Sequence, residues 1–454
     1  MSDISSIFDL DEYKQYKATW EARQKVLKRR AAYHDGSIYD NASWRGVLST
    51  IAPKLPKNIR AVFSPLAAAV DVDAGIIPAE WEFADDAPEE WKTAREIVFD
   101  WSEWDVQSPL FVHYGAMLGV TGLRISDIQD DEKVVISAAD PRKFMTIGSS
   151  IYSREPKMAL WIEQQLDSDG EEYEYAEVHT PTEIQTYKNG ELYSYEGRDA
   201  VTKNNIGRVC IIESKHIENG KPLSEPTFQK ALRMLDEANG LLSDIADNIK
   251  NETSNVQWIL FGVDPTNLTH GDGNIWFAPL DARVEALVPN VDLKGMIEFV
   301  RDLKVDIKDA LPEKDFDELR RKDQIATDTL SIQLTELVLK IKRTRPNYDR
   351  ALVTALQIAG RAAETMKLDK ISVLNDSALK LNPKRAIIPE TQTDTIKRTG
   401  EKWRIVADVT DEPVPAEIVL SELGASDEQI KEFGSGKLAA INAMREDKIP
   451  EVTQ

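Results

Sequence analysis

The chain has 454 residues, a formal net charge of −22, 42% hydrophobic and 30% charged residues, and one cysteine. A length of this order exceeds the roughly 250–300 residues one core usually holds, so several packing units are expected, and the composition is that of a folded rather than a disordered chain. No run approaches the roughly 18 apolar residues of a membrane span, and the opening MSDISSIFDLDEYKQ is too acidic and polar for a signal peptide. The expectation is a protein that stays in the cytoplasm where it is made unless a particle carries it out. Cys210 excludes an intrachain disulfide and a cysteine-rich zinc site, and within the apolar run VCII it reads as a buried small hydrophobe. An acidic excess of this size disfavours tight DNA binding but is compatible with a protein that surrounds DNA without gripping it.

Residues 11–33 carry helix-favouring composition that stops at Tyr33-His34-Asp35-Gly36, where the glycine supplies a helix end. Ile59, Val62, Phe63, Leu66 and Val70 then fall at helical spacing with Pro65 expected to kink or shift the helix, and residues 87–120 read as a helical pair. From about residue 122 the period shortens. Leu123–Ile125, Val134–Ile136, Met158–Ile162, Tyr173–Val178 and Val209–Ile212 are β-prone runs separated by turn clusters such as DSDG and KNGE. A β-rich layer on N-terminal helices gives an α+β class.

The helical period returns at Ser224, read as an N-cap with Pro226 in the first turn. Phe228, Leu232, Leu235, Leu242, Ile245 and Ile249 form one apolar stripe. A β-like insert, VQWILFGVDPTNLTHGDGNIWFAPL, follows, and a second amphipathic helix runs through Leu293, Met296, Ile297, Val300, Leu303 and Ile307 to a stop at Pro312. The charge-dense stretch PEKDFDELRRKDQIATD leads into a long helical pattern from Leu330 to about Met366, bent at Pro346. Beyond it, short strands are expected near Ile387 and Trp403, a turn at Val414 and a short helix near Glu417–Leu423.

The chemistry is sparse. None of His34, His113, His179, His216 and His270 stands at metal-ligand spacing, and no phosphate loop, dinucleotide fingerprint or nucleophile elbow is present. Asp71 with Asp73, and Asp85 with Asp86, are carboxylate pairs without supporting ligands and read as solvated charge. The tryptophans have mostly acidic neighbours, so they read as packing residues rather than base-stacking platforms. The basic clusters at Lys25–Arg30, Arg320–Lys322 and Lys340–Arg345 read as solvated helix faces. No catalysis, cofactor or metal is expected.

The order of these elements resembles the tailed-bacteriophage portal family over nearly the whole chain. The resemblance rests on Tyr33–Gly36, Asn58–Arg60, Gly119–Ile125, Ala139-Asp140-Pro141, Asn204–Ile212, and Leu235–Asn239 with Ser243-Asp244. It implies a wing over residues 1–223, stem helices over 224–254 and 290–311, a clip over 255–289, a tunnel loop over 312–329, a long kinked helix over 330–366, and a C-terminal wing and crown segment over 367–454. In this reading the stem packs through Phe228, Leu232, Leu235, Leu242, Ile245, Ile249, Leu293, Ile297, Val300 and Ile307. The clip offers Asn267, Thr269, His270, Asp272 and Asn274 to partners, and the tunnel loop turns Lys314, Arg320, Arg321 and Lys322 toward DNA. The implied partners are further copies of the chain in a ring of about twelve subunits, double-stranded DNA, the large terminase subunit, a head–tail adaptor, and major capsid and scaffolding proteins. The implied location is the portal vertex of the virion, with assembly in the host cytoplasm. Two other classes stay open: another ring-forming head–tail connector or capsid-associated protein, and a metal-dependent nuclease or processing factor.

Overall fold

Helices come first, then strands, then helices again, in the block order expected for an α+β protein. A computed structural model describes residues 6–39, 63–78, 81–84, 86–128, 132–148, 155–167, 169–195, 197–254, 257–261, 283–287, 293–313 and 334–382. The chain divides into two units, residues 1–321 with 336–385 and residues 322–335 with 386–454, and nearly all described residues belong to the first. The strands, turn and short helix expected near Ile387, Trp403, Val414 and Glu417 lie outside the described residues.

Helix α1 (Lys17–His34) ends where Asp35 donates its backbone N–H to the Ala31 carbonyl and Gly36 turns at φ 80°. Helix α2 (Leu66–Ile76) begins directly after Pro65, so the proline starts the helix instead of kinking it. Helices α3 (Glu89–Trp101) and α4 (Trp104–Leu118) form the expected pair, broken by Glu103 in the left-handed region at φ 47°. Gly119, at φ 82°, ends α4, and a Cβ there would collide with the Ser224 carbonyl.

Strands β1 (Val120–Ile128), β2 (Lys133–Ala139) and β9 (Ile211–Lys215) form a three-stranded antiparallel sheet in the order β2-β1-β9. A second sheet runs β3 (Phe144–Ile147), β4 (Met158–Leu166), β5 (Glu172–His179), β6 (Glu183–Lys188), β7 (Glu191–Leu192), with β8 (Val201–Lys203) also on β6. The DSDG and KNGE turns join β4 to β5 and β6 to β7. The local sequence did not announce β3, β6, β7 and β8. β7 and β8 are wholly exposed and β6 is mostly half-buried, so those three carry little of the apolar alternation that marks a strand.

Among the described residues, buried side chains gather in several clusters. Leu27 of α1, Val70 of α2 and Leu118 of α4 pack with Phe228, Leu235, Ile307 and Leu311. Ile7, Phe8, Tyr13 and Trp20 cover the second sheet at Leu160, Ile162, Ala176 and Val178. Phe144 and Trp161, stacked at 6.5 Å, pack with Ala139, Val209 and Ile211 at the meeting of the two sheets. Trp20, Trp81 and Trp104 are buried, as expected of packing residues. Among the described residues no helix is long and apolar enough to cross a membrane.

Candidate functional site

Two helices and a strand pair form the element that the apolar stripes anticipated. Helix α5 (Leu232–Ser254) is followed by β10 (Gln257–Phe261) and β11 (Arg283–Leu287), antiparallel from Gln257 opposite Leu287 to Phe261 opposite Arg283, and then by α6 (Leu293–Asp309). The helix starts at Leu232, later than Ser224. The Ser224 hydroxyl is engaged with both backbone groups of Ile217 and so closes a loop instead of capping a helix.

Of the stripe residues, Phe228, Leu232, Leu235 and Ile307 lie in the core shared with α1, α2 and α4, and Ile245 and Val300 are also buried. Leu242 is half-buried, and the side chain of Leu293 lies outside the described residues. Ile249 and Ile297 stand 43% and 53% exposed, joined on α6 by Phe299 and Val305 at 52% and 51%. The core covers the α5 start and the α6 end, while Ile249 and Ile297 lie toward the strand pair in sequence. In a single chain these four apolar side chains face water.

The start of α5 is tied down by polar contacts. Tyr33 and Tyr39 donate their hydroxyls to the two oxygens of buried Asp236 at 2.8 and 2.9 Å, and Asn239 pairs both ways with the backbone of Phe63. Burial pushes the Asp236 carboxyl above its ordinary range while the two tyrosine hydroxyls oppose the shift. Thus the Tyr33–Gly36 and Leu235–Asn239 signals, some 200 positions apart, meet in one hydrogen-bond network.

A second network lies beneath the pair, where α2, the exit of β9, the lead into α5, the end of α6 and the long helix α7 (Thr335–Thr365) contribute one or two side chains each. Asp73 is fully buried, and its Oδ2 accepts a short hydrogen bond from the Thr227 hydroxyl and lies 3.5 Å from both His216 Nε2 and Lys340 Nζ. His216, also fully buried, contacts Thr227 Oγ1 through Nε2 and the Tyr348 hydroxyl through Nδ1, each at 2.8 Å. The donors run consistently from Tyr348 to His216 Nδ1, from His216 Nε2 to Thr227, and from Thr227 to Asp73, with the imidazole neutral. Lys340 also forms a close ion pair with Glu313, which is fully buried.

Burial alone would raise the Asp73 carboxyl, but Lys340, His216 and Thr227 hold it below its ordinary range. Glu313 moves the other way. Burial, and then the neighbouring Asp73 charge, push it up from 4.5 to about 7 against the pull of Lys340. Burial lowers His216.

Reading Asp73 as solvated charge is therefore corrected, as is reading the Lys340–Arg345 cluster as a solvated face. Lys340 turns inward, and Arg345 is buried with a bond to the Ile76 carbonyl, while Lys342 and Arg343 remain exposed. Glu313, in the charge-dense stretch that the resemblance implies to be the tunnel loop, is buried as well. The Lys25–Arg30 cluster divides likewise, with Lys25 and Lys28 exposed and Arg30 buried against the Leu118 carbonyl.

Between the two sheets lies a cavity of about 490 Å³ lined by Arg124, Tyr175, Glu177, His179 and Cys210 among others. Arg124 reaches both Glu177 oxygens at 2.9 Å, His179 Nε2 lies 2.6 Å from Oε2, and Tyr175 donates to Oε1 at 2.7 Å. Burial would raise Glu177, yet His179, Arg124 and Tyr175 bring it down to about 2. Cys210 is 2% exposed and burial pushes its thiol up to about 12, which suits a core residue and not a nucleophile. Among the described residues no group of three or more metal-ligating side chains is present.

The clip residues Asn267, Thr269, His270, Asp272 and Asn274, and the tunnel-loop residues Lys314, Arg320, Arg321 and Lys322, lie outside the described residues. In comparison with known proteins, residues 120–343 match the family described as phage portal protein, SPP1 Gp6-like. This stretch runs from β1 through the paired helices into α7. No curated protein matches the chain.

Proposed function

Residues 120–343 belong to the phage portal protein family, a family of structural proteins, and on that premise we propose that the chain forms a ring at one capsid vertex through which double-stranded DNA is packaged and later ejected. The observation that carries this reading is that the matched stretch contains the helix pair on which Ile249, Ile297, Phe299 and Val305 face water in a single chain. Fully burying one such side chain contributes about 1.5–3 kcal/mol. Repeated around a ring of about twelve copies, head-to-tail contacts between neighbouring pairs would cover these residues on every subunit.

Within this reading residues 1–223 are the wing, 224–254 and 290–311 the stem, 255–289 the clip, 312–329 the tunnel loop, 330–366 the long helix above the channel, and 367–454 the remaining wing and crown. The large terminase subunit and then a head–tail adaptor dock on the clip around Asn267–Asn274, and capsid and scaffolding proteins surround the wing. Lys314, Arg320, Arg321 and Lys322, interspersed with Asp315, Asp317, Glu318 and Asp323, make a mixed-sign lining whose phosphate contacts form and break as DNA advances. The strongly acidic remainder of the chain keeps the duplex from being pinned. The chain itself is not an enzyme, and the work of packaging comes from the terminase.

The decisive measurement is the mass of the purified protein in solution together with electron microscopy of stained particles. A closed ring of about a dozen copies with a central hole is expected. A monomer at all concentrations, or a solid particle, overturns the proposal.

A further inference from the structure

The buried junction beneath the helix pair is out of electrical balance. Asp73 and Glu313 bring two carboxylates, both fully buried, to a single ammonium, that of Lys340. Among the described residues Lys340 is the cation that acts on both carboxylates, and His216 is held neutral in the chain of hydrogen bonds between Tyr348 and Thr227. Neither Asp73 Oδ1 nor Glu313 Oε2 has a hydrogen-bond partner among the described residues. A buried anionic oxygen in that position is strongly disfavoured, whereas a protonated carboxyl needs no counter-charge. The two acids are not equivalent. Asp73 also receives the Thr227 hydroxyl and lies beside His216, while Glu313 has Lys340 and its own backbone N–H. The proton therefore belongs on Glu313.

Glu313 closely follows α6, which ends at Asp309, and Lys340 lies near the start of α7, so their contact joins the chain on either side of residues 314–333. We propose that Glu313 is a proton-controlled latch: protonated, it shares Lys340 with Asp73 and holds the chain after α6 against α7, and ionised, it leaves the junction for water. Lys340 then pairs with Asp73 alone, one charge against one. The charged groups that face Glu313 are Asp73 from α2 and Lys340 from α7, and behind Asp73 lie His216 from the exit of β9, Thr227 and Tyr348.

The sign follows from proton linkage. The docked carboxyl holds its proton more tightly than a free one, so docking is complete below the ordinary glutamate range and weakens as pH rises. The docking equilibrium falls about tenfold per pH unit between the free and the docked titration points, then levels off. Hydrogen exchange of the full-length protein, read by mass spectrometry on peptides covering the last turn of α6 and residues 310–313 and corrected for intrinsic exchange, should report this. In the parent protein local opening should grow about tenfold per pH unit from pH ~5 to ~7 and then flatten. Glu313→Gln, which cannot ionise, should remain flat throughout. An unchanging parent, or a Glu313→Gln variant that follows the parent, overturns the proposal. A measurement on the parent alone covers the case in which the variant fails to fold: an infrared band of a protonated carboxyl should persist at pH ~6, where free glutamates are ionised. Its absence overturns the proposal as well.

Discussion

Among the described residues, two buried clusters pair a histidine with a carboxylate, and they are built to opposite accounts of charge. In the β-layer, Glu177 receives Arg124, Tyr175 and His179, so one carboxylate has more donors than it needs. Beneath the helix pair, Asp73 and Glu313 divide one lysine. Burial raises both; at Glu177 the contacts with His179, Arg124 and Tyr175 outweigh it, whereas at Glu313 the Asp73 charge adds to it and Lys340 does not offset the two. Burial by itself does not decide which way a carboxyl titrates; the balance of burial, neighbouring charge and hydrogen-bond donors does. The first arrangement suits a fixed support between two sheets, and the second suits a place where a proton changes the bonding.

Removing the shared cation should have the largest effect. Lys340→Met leaves the buried Asp73 carboxylate without its cation and is expected to destabilise the fold by about 3–5 kcal/mol near neutral pH. Thermal or denaturant unfolding would measure it, and the loss should shrink as acid protonates the pair. In the β-layer, Arg124→Leu should cost about 1.5–3 kcal/mol, because His179 and Tyr175 still serve Glu177. If the two variants lose equal stability, the contrast in partner number has no energetic meaning.

The pH dependences sharpen the same contrast. Glu177, held low, contributes stability that is present above the ordinary range and lost as pH falls through about 2. Glu313, held high, contributes stability that is present below 4.5 and lost as pH rises through about 7. Between those limits Glu313→Gln should therefore gain on the parent with rising pH, by about 1–3 kcal/mol, while Glu177 leaves the slope flat. Unfolding midpoints of parent and variant across this range would show it. The smallest effect on the single chain is expected at the surface. Ile297→Ser with Phe299→Ser should change the stability of one chain by less than about 0.5 kcal/mol per site, yet shift the assembled protein toward smaller species in sedimentation.

Much of the architecture was legible in local pattern. α1, α3, α4, α6 and α7 lie within stretches read as helical, with the Tyr33–Gly36 stop and the Pro312 boundary matching helix ends. The insert between the helices does contain a strand pair. Periodicity works for these because an amphipathic segment repeats the same burial every turn. It fails at Ser224–Phe228, where an N-cap residue type is used to close a loop on Ile217, and at β7 and β8, which bury nothing.

What the sequence by itself determined is the class, the order of the blocks, the absence of familiar catalytic and nucleotide-binding motifs, and a resemblance that the match over residues 120–343 bears out. The tertiary structure alone decided the fate of individual charges. Asp73, His216, Thr227, Glu313, Lys340 and Tyr348 are spread over more than half the chain, and each taken with its immediate neighbours resembles ordinary surface or core. Their meaning arises when elements distant in sequence exclude water around them, because the energy of a buried charge depends on what surrounds it in space and not on what precedes it in the chain.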